Sequence, residues 1–211
     1  MEVYNSEQDQ VEAIKAWWDK HGKLVIAGVV ALLVGVFGWN TWQDRQLQMA
    51  DAASTAYYQM LETVAQDPNA AMAIGRHIVG EFSSTTYAPL ASMMLARLSV
   101  EEGDLASAEA HLQTVAAQRK LPELQRVARL RLAQVIFAQG RHEQALAQLQ
   151  GDAGSLQAAF DEMRGDILLA QGQREQARAA YSRAASAYAD QPDSHALVSM
   201  KLNDLEEHKA E

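Results

Sequence analysis

The sequence predicts an all-α protein: a single transmembrane helix followed by a helical-repeat, or α-solenoid, domain. Three observations carry that expectation. Residues 24–42 read LVIAGVVALLVGVFGWNTW, one uncharged and mostly apolar run. After it, Ala, Leu, Gln, Glu and Arg dominate, and nothing alternates apolar and polar residues long enough for a strand. A glycine-centred pattern also recurs three times, at Gly103, Gly140 and Gly172.

The first 23 residues form a segment of their own. Ser6-Glu7-Gln8-Asp9 reads as a capping box that would start a helix. Val11, Ile14, Trp17 and Trp18 then follow at weakly amphipathic spacing. That face either lies along a membrane surface or is presented to a partner.

The apolar run spans about 19 residues, close to the ~20 that cross a bilayer as one helix. All four tryptophans, Trp17, Trp18, Trp39 and Trp42, flank it. Indole favours the headgroup boundary, where its ring is apolar and its N–H stays wet, so these four are the expected interface anchors. A cleavable signal would start nearer the N-terminus behind a basic leader, and 23 residues, five of them acidic, precede this run. Lys15, Lys20 and Lys23 lie before it and only Arg45 within about 15 residues after it. That bias predicts a single pass with residues 1–23 cytoplasmic, a span at 24–42, and residues 43–211 outside, in the periplasm if the cell is bacterial. Ala27, Ala31, Gly35 and Gly38 fall within about 80° of one helix face. Small residues let helices pack closely in lipid, so this is the expected packing face of the span.

Residues 43–211 are long enough for one domain with a real core. Of the chain's 18 basic and 27 acidic residues, 15 and 22 fall here, a net charge of −7. That argues against nucleic acid as a partner, because duplex binding rests on neutralising phosphates. Arg119, Lys120, Arg126, Arg129 and Arg131 are the one basic concentration, read as a solvated helix face. Without cysteines there is neither a disulfide framework nor thiol chemistry.

Leu47, Ala50, Ser54, Tyr57, Leu61 and Val64 keep helical spacing, and nothing breaks the pattern from Lys23 to Asp67. One long helix is expected to leave the membrane and enter the domain. Asp67-Pro68 places an acceptor at the N-cap and Pro at the first helical position. A helix over about residues 69–82 is expected next, then the loop Ser83-Ser-Thr-Thr86. Pro89, Pro122 and Pro192 mark later helix starts.

The three glycines lie 37 and 32 residues apart. Each follows a small residue by seven positions (Ala96, Ala133, Gly165) and precedes an alanine by five (Ala108, Ala145, Ala177). Nine positions on stands a large apolar residue: Leu112, Leu149 or Tyr181. Glycine takes the left-handed conformation that ends a first helix, and small residues let a second helix fold back on it. The pattern resembles the tetratricopeptide repeat, whose period is about 34 residues. It departs from the consensus at the tryptophan position, where Ser92, Arg129 and Asp161 stand. Beyond the repeats, residues 192–207 read as a capping helix with Leu197, Met200, Leu202 and Leu205 available for burial.

No catalytic, cofactor or metal site is expected. No two of the six histidines share a helical turn, and neither a nucleophile elbow nor a phosphate loop occurs. Asp161, Glu162 and Asp166 are read as carboxylates favoured by a helix start. In tetratricopeptide-like pairs the first helices line a concave groove. Aligning on the glycines assigns to it Met93, Arg97 and Val100, then Leu130, Gln134 and Phe137, then Glu162, Asp166 and Leu169. Such a mixed apolar and charged set suits a peptide or a partner helix.

The opening Gln10-Val-Glu-Ala-Ile-Lys15-Ala-Trp-Trp18-Asp-Lys-His-Gly22, the anchor behind it, the repeats and Tyr87-Ala-Pro-Leu-Ala-Ser92 coincide in one chain. Together they resemble the ancillary SecYEG translocon subunit family (YfgM-type) of Gram-negative inner membranes, over essentially the whole length. The resemblance implies a non-enzymatic, single-pass inner-membrane protein with a periplasmic repeat domain. It implies association with the SecYEG translocon and with the membrane-anchored periplasmic chaperone PpiD, and a part in passing translocating client proteins to periplasmic chaperones. Two other roles fit the residues: a tether for another cell-envelope complex, or binding of a cytoplasmic regulator through the N-terminal segment.

Overall fold

The computed structural model describes residues 3–207, and among them every element is helical. α1 (Val3–Val64) is followed by α2 (Pro68–Glu81), α3 (Tyr87–Glu101), α4 (Leu105–Ala116), α5 (Pro122–Ala138) and α6 (His142–Gln148). After a 3₁₀ turn at Gly154–Leu156 come α7 (Gln157–Ala170), α8 (Arg174–Ala187) and α9 (Pro192–Glu207). The chain divides into two compact units, Met1–Asp51 and Ala52–Glu211.

In the first unit every described residue is helical. It holds the one helix among the described residues that is long and apolar enough to cross a membrane, and its apolar window is entirely unburied. Leu24, Leu32, Leu33, Val34 and Phe37 are all exposed. A lone span looks like this because its apolar surface has lipid, not protein, to meet. The expected capping box does not start the helix. A capping serine needs non-helical backbone, and α1 has already begun at Val3.

The second unit is a stack of helical hairpins. Its first pair is the end of α1 with α2, joined by a cap that behaves as expected: the Asp67 carboxylate accepts a hydrogen bond from the Ala70 N–H at 3.0 Å. Met60, Ala71, Met72, Ile78, Ala91, Leu95 and Leu98 form the core here. The pairs α3/α4, α5/α6 and α7/α8 follow. Their first helices begin at Tyr87, Pro122 and Gln157, and α9 begins at Pro192, each 35 residues after the last.

The repeat pattern works sterically as its spacing demands. Gly103, Gly140 and Gly172 have φ of 81°, 78° and 76°, the left-handed region in which a side chain would be strained. Ala108, Ala145 and Ala177 are fully buried, and Leu112, Leu149 and Tyr181 nearly or fully so. At Gly165 the approach of α7 and α8 is so close that a methyl group would run into the Tyr181 ring.

Where the consensus tryptophan is missing, polar residues have taken over its place. Ser92 and Asp161 are buried. Arg129 reaches from α5 to the turn after α6, donating to the carbonyls of Gln148 at 3.0 Å, Asp152 at 3.2 Å and Gln150. Its guanidinium also lies 5.4 Å from the centre of the Phe160 ring. Arg126 pairs with Asp152 at 2.5 Å and with Glu123. The reading of the basic cluster as a solvated face therefore fails at two of its five residues. Apart from Glu123, their partners lie 19 to 26 residues further on, which no local pattern shows.

The capping helix forms, but its buried stripe has a different phase. Leu197 and Met200 are 51% and 64% exposed, whereas Val198 is fully buried. Val198 and Leu205 belong to the core against α8, with Leu202 packed on it. These three fall at i, i+4 and i+7, one helix face, and Leu197 and Met200 lie off it.

Candidate functional site

The cleft between α3, α4 and α5 is the site that the fold builds from the expected groove. α4 packs on both α3 and α5, whereas those two first helices barely meet, and α5 packs directly on α7. The step from the first to the second of the three glycine-marked hairpins is thus left open. The cleft has a volume of about 660 Å³, within the range of ligand-sized sites. Its floor is apolar, with Ala96, Leu105, Leu112 and Val135; Met93 and Val100 line the α3 side.

Met93, Arg97 and Val100 stand on α3 at i, i+4 and i+7 and line this cleft, as does Gln134 from α5. The other expected groove residues lie elsewhere. Leu130 and Phe137 pack partly buried against the central core, and the Phe137 ring sits 5.3 Å from His142. Glu162 and Asp166 face α9, where the Lys201 ammonium donates to them at 2.9 and 2.7 Å. Leu169 packs on the C-terminal core. The nine residues therefore occupy three surroundings rather than one groove.

α5 contributes Val127, Arg131, Gln134 and Ala138, spaced i, i+4, i+7 and i+11. That face is rotated by about 70° from the one that alignment on Gly140 gives, although both helices end two residues before their glycine. The mixed spacing of Val127, Arg131 and Ala138 is a readable signal that the alignment overrode.

Two charges at the cleft are matched and one is not. Arg97 and Glu101 pair at 2.8 Å on α3, both exposed. Arg131 donates to the Gln134 side-chain carbonyl at 3.3 Å and has no carboxylate partner among the described residues.

The carboxylates of α7 do not serve the helix start. α7 begins at Gln157, so Asp161 sits a full turn inside it. Asp161 accepts from Gln157 at 2.9 Å and from Arg183 at 3.1 Å, and pairs with Arg164. Asp166 accepts from the Tyr181 hydroxyl at 2.7 Å. The group is a clasp holding α7, α8 and α9 together, and each carboxylate already has its donors. No group of three potential metal-binding side chains occurs among the described residues.

In the first unit, Trp17, Trp18, Trp39 and Trp42 are exposed. Trp17 stacks on His21 at 5.4 Å, and Trp39 and Trp42 lie 5.3 Å apart. Ala27, Ala31, Gly35 and Gly38 are exposed, and a methyl group added at either glycine would meet nothing.

A family model described as a tetratricopeptide repeat-like domain matches residues 15–207, anchor included. The chain is 36% identical over 203 residues to the ancillary SecYEG translocon subunit of Aggregatibacter actinomycetemcomitans, covering 94% of this chain and 97% of that one. It is 32% identical over 206 residues to the protein of the same name from Escherichia coli (strain K12), covering 97% and 99%. It is 30% identical over 207 residues to that of Haemophilus influenzae, covering 96% and 100%. No solved structure matches.

Proposed function

The chain belongs to the family of ancillary SecYEG translocon subunits, and from that premise we propose that it is a membrane-anchored scaffold working beside the Sec translocon. The observation that carries this is the extent of the likeness, which runs through the anchor and the repeat domain alike. The family and the repeat fold point to a non-catalytic accessory subunit.

In this proposal the span crosses the inner membrane once, with the lysine-rich flank in the cytoplasm. Trp17, Trp18, Trp39 and Trp42 hold it at the two interfaces, and the face of Ala27, Ala31, Gly35 and Gly38 packs on a neighbouring span. The repeat domain faces the periplasm. Its cleft between α3 and α5 receives segments of proteins leaving the translocon, and PpiD, the membrane-anchored chaperone, takes them on.

The test is affinity purification of the tagged full chain from membranes in mild detergent, with co-purifying proteins identified by mass spectrometry. Recovery of translocon subunits with PpiD supports the proposal. Recovery of a different envelope complex without them sinks it.

A further inference from the structure

Resting on the cleft as the docking site, we propose that it selects unfolded segments in which aliphatic residues flank a carboxylate, with Arg131 binding the acidic side chain.

Size and shape restrict the occupant first. A cleft of about 660 Å³ between two helices accommodates the side chains of one narrow segment, not a broad folded surface. The floor of Ala96, Leu105, Leu112 and Val135 offers no polar partner, so the side chains that enter it are apolar. Gln134 uses its carbonyl on Arg131, which leaves its amide N–H groups to donate to a carbonyl of the bound segment's backbone.

Charge restricts it further. Arg97 and Glu101 cancel at one side. Arg131, at the other, makes its lone hydrogen bond to a neutral amide, so the lip carries a net positive charge on a chain whose formal charge is −9. Guanidinium and carboxylate match as a two-pronged pair, stronger than a contact between neutral groups. The local charge opposes the global one. A preference for acidic segments would therefore report Arg131 and not the protein's overall field, which repels them.

The experiment uses the full chain in lipid nanodiscs and three fluorescein-labelled soluble peptides, identical except at one position. Each holds leucines on both sides of a central Glu, Gln or Lys. The Glu peptide is expected to bind about tenfold more tightly than the Lys peptide, the size of one charge-assisted contact. Arg131→Glu should reverse that order. Ala138→Trp, at an exposed position on the lip, should weaken all three peptides. Circular dichroism melts confirm that both variants are folded.

Equal binding of the three peptides to the unmodified chain, lost in Ala138→Trp, overturns the carboxylate preference and leaves the cleft as the docking site. Equal binding to Ala138→Trp and to the unmodified chain overturns both. Failure of every peptide to bind the unmodified chain overturns the proposal as well.

Discussion

Gly165 decides how closely α7 and α8 approach, because the Tyr181 ring occupies the space that any side chain there would need. Gly165→Ala must push that ring aside in a packed core, at a cost of about 1–3 kcal/mol. The expected result is a lower melting temperature by circular dichroism with helix content unchanged at room temperature; an unaltered melt would contradict the packing described. Lys201 carries a second prediction. Burial disfavours its charge, but the hydrogen bonds it donates to Asp166 and Glu162 and their negative charges outweigh it, so its pKa lies above the ordinary lysine value. Burial and the bond to Asp166 raise the Tyr181 hydroxyl likewise. Groups raised on folding contribute fully below their unfolded values, about pH 10, and lose that contribution as the pH climbs further. Urea midpoints should therefore fall between about pH 8 and about pH 11, and fall less in Lys201→Met. An equal drop in both proteins would show that Lys201 is not part of the effect. The triplets of small residue, glycine and alanine were legible in the sequence because each states a steric demand within two turns of chain. Arg129 and Asp161 were not, because the groups that satisfy Arg129 lie 19 to 23 residues away and Asp161's Arg183 lies 22 away.

Helix α9 shows the limit of pattern at the scale of an element. Its existence, its proline start and its role against the last repeat follow from the sequence. The choice of face does not, since Leu197 and Met200 are as apolar as Val198 and stand within two positions of it. The stripe through Val198 wins because Leu202 and Leu205 share its face and Lys201, one position away, is held by the carboxylates of α7. Val198→Asp places an unpaired charge in that contact, a loss of several kcal/mol. Hydrogen exchange along residues 192–207 should rise sharply in Val198→Asp and stay unchanged in Leu197→Gln. Faster exchange in Leu197→Gln instead would assign the buried face to the other stripe. The cleft shows the same limit: α3 presents the expected residues, whereas α5 turns Leu130 and Phe137 toward the core and brings Arg131 to the lip.

At the scale of the whole molecule, the anchor and the all-helical class were legible because both rest on composition and length. How the first helices pair was not, since it depends on contacts between hairpins. The proposed orientation makes its own prediction. Alkaline phosphatase fused to the C-terminus should be active, because the enzyme folds only outside the cytoplasm, and a reporter that works only in the cytoplasm should be silent when fused there. The reverse pair of results would place the repeat domain in the cytoplasm and exclude contact with emerging proteins there. The most direct test of the central claim, a scaffold beside the translocon that receives emerging chains, is site-specific photocrosslinking in living cells. A photoreactive residue is placed at position 35 in the span and, separately, at position 131 in the cleft. The account predicts that position 35 captures a translocon subunit and that position 131 captures secreted proteins, the latter only while export is under way. Crosslinks from both positions to another envelope complex, unaffected when export is blocked, would contradict it.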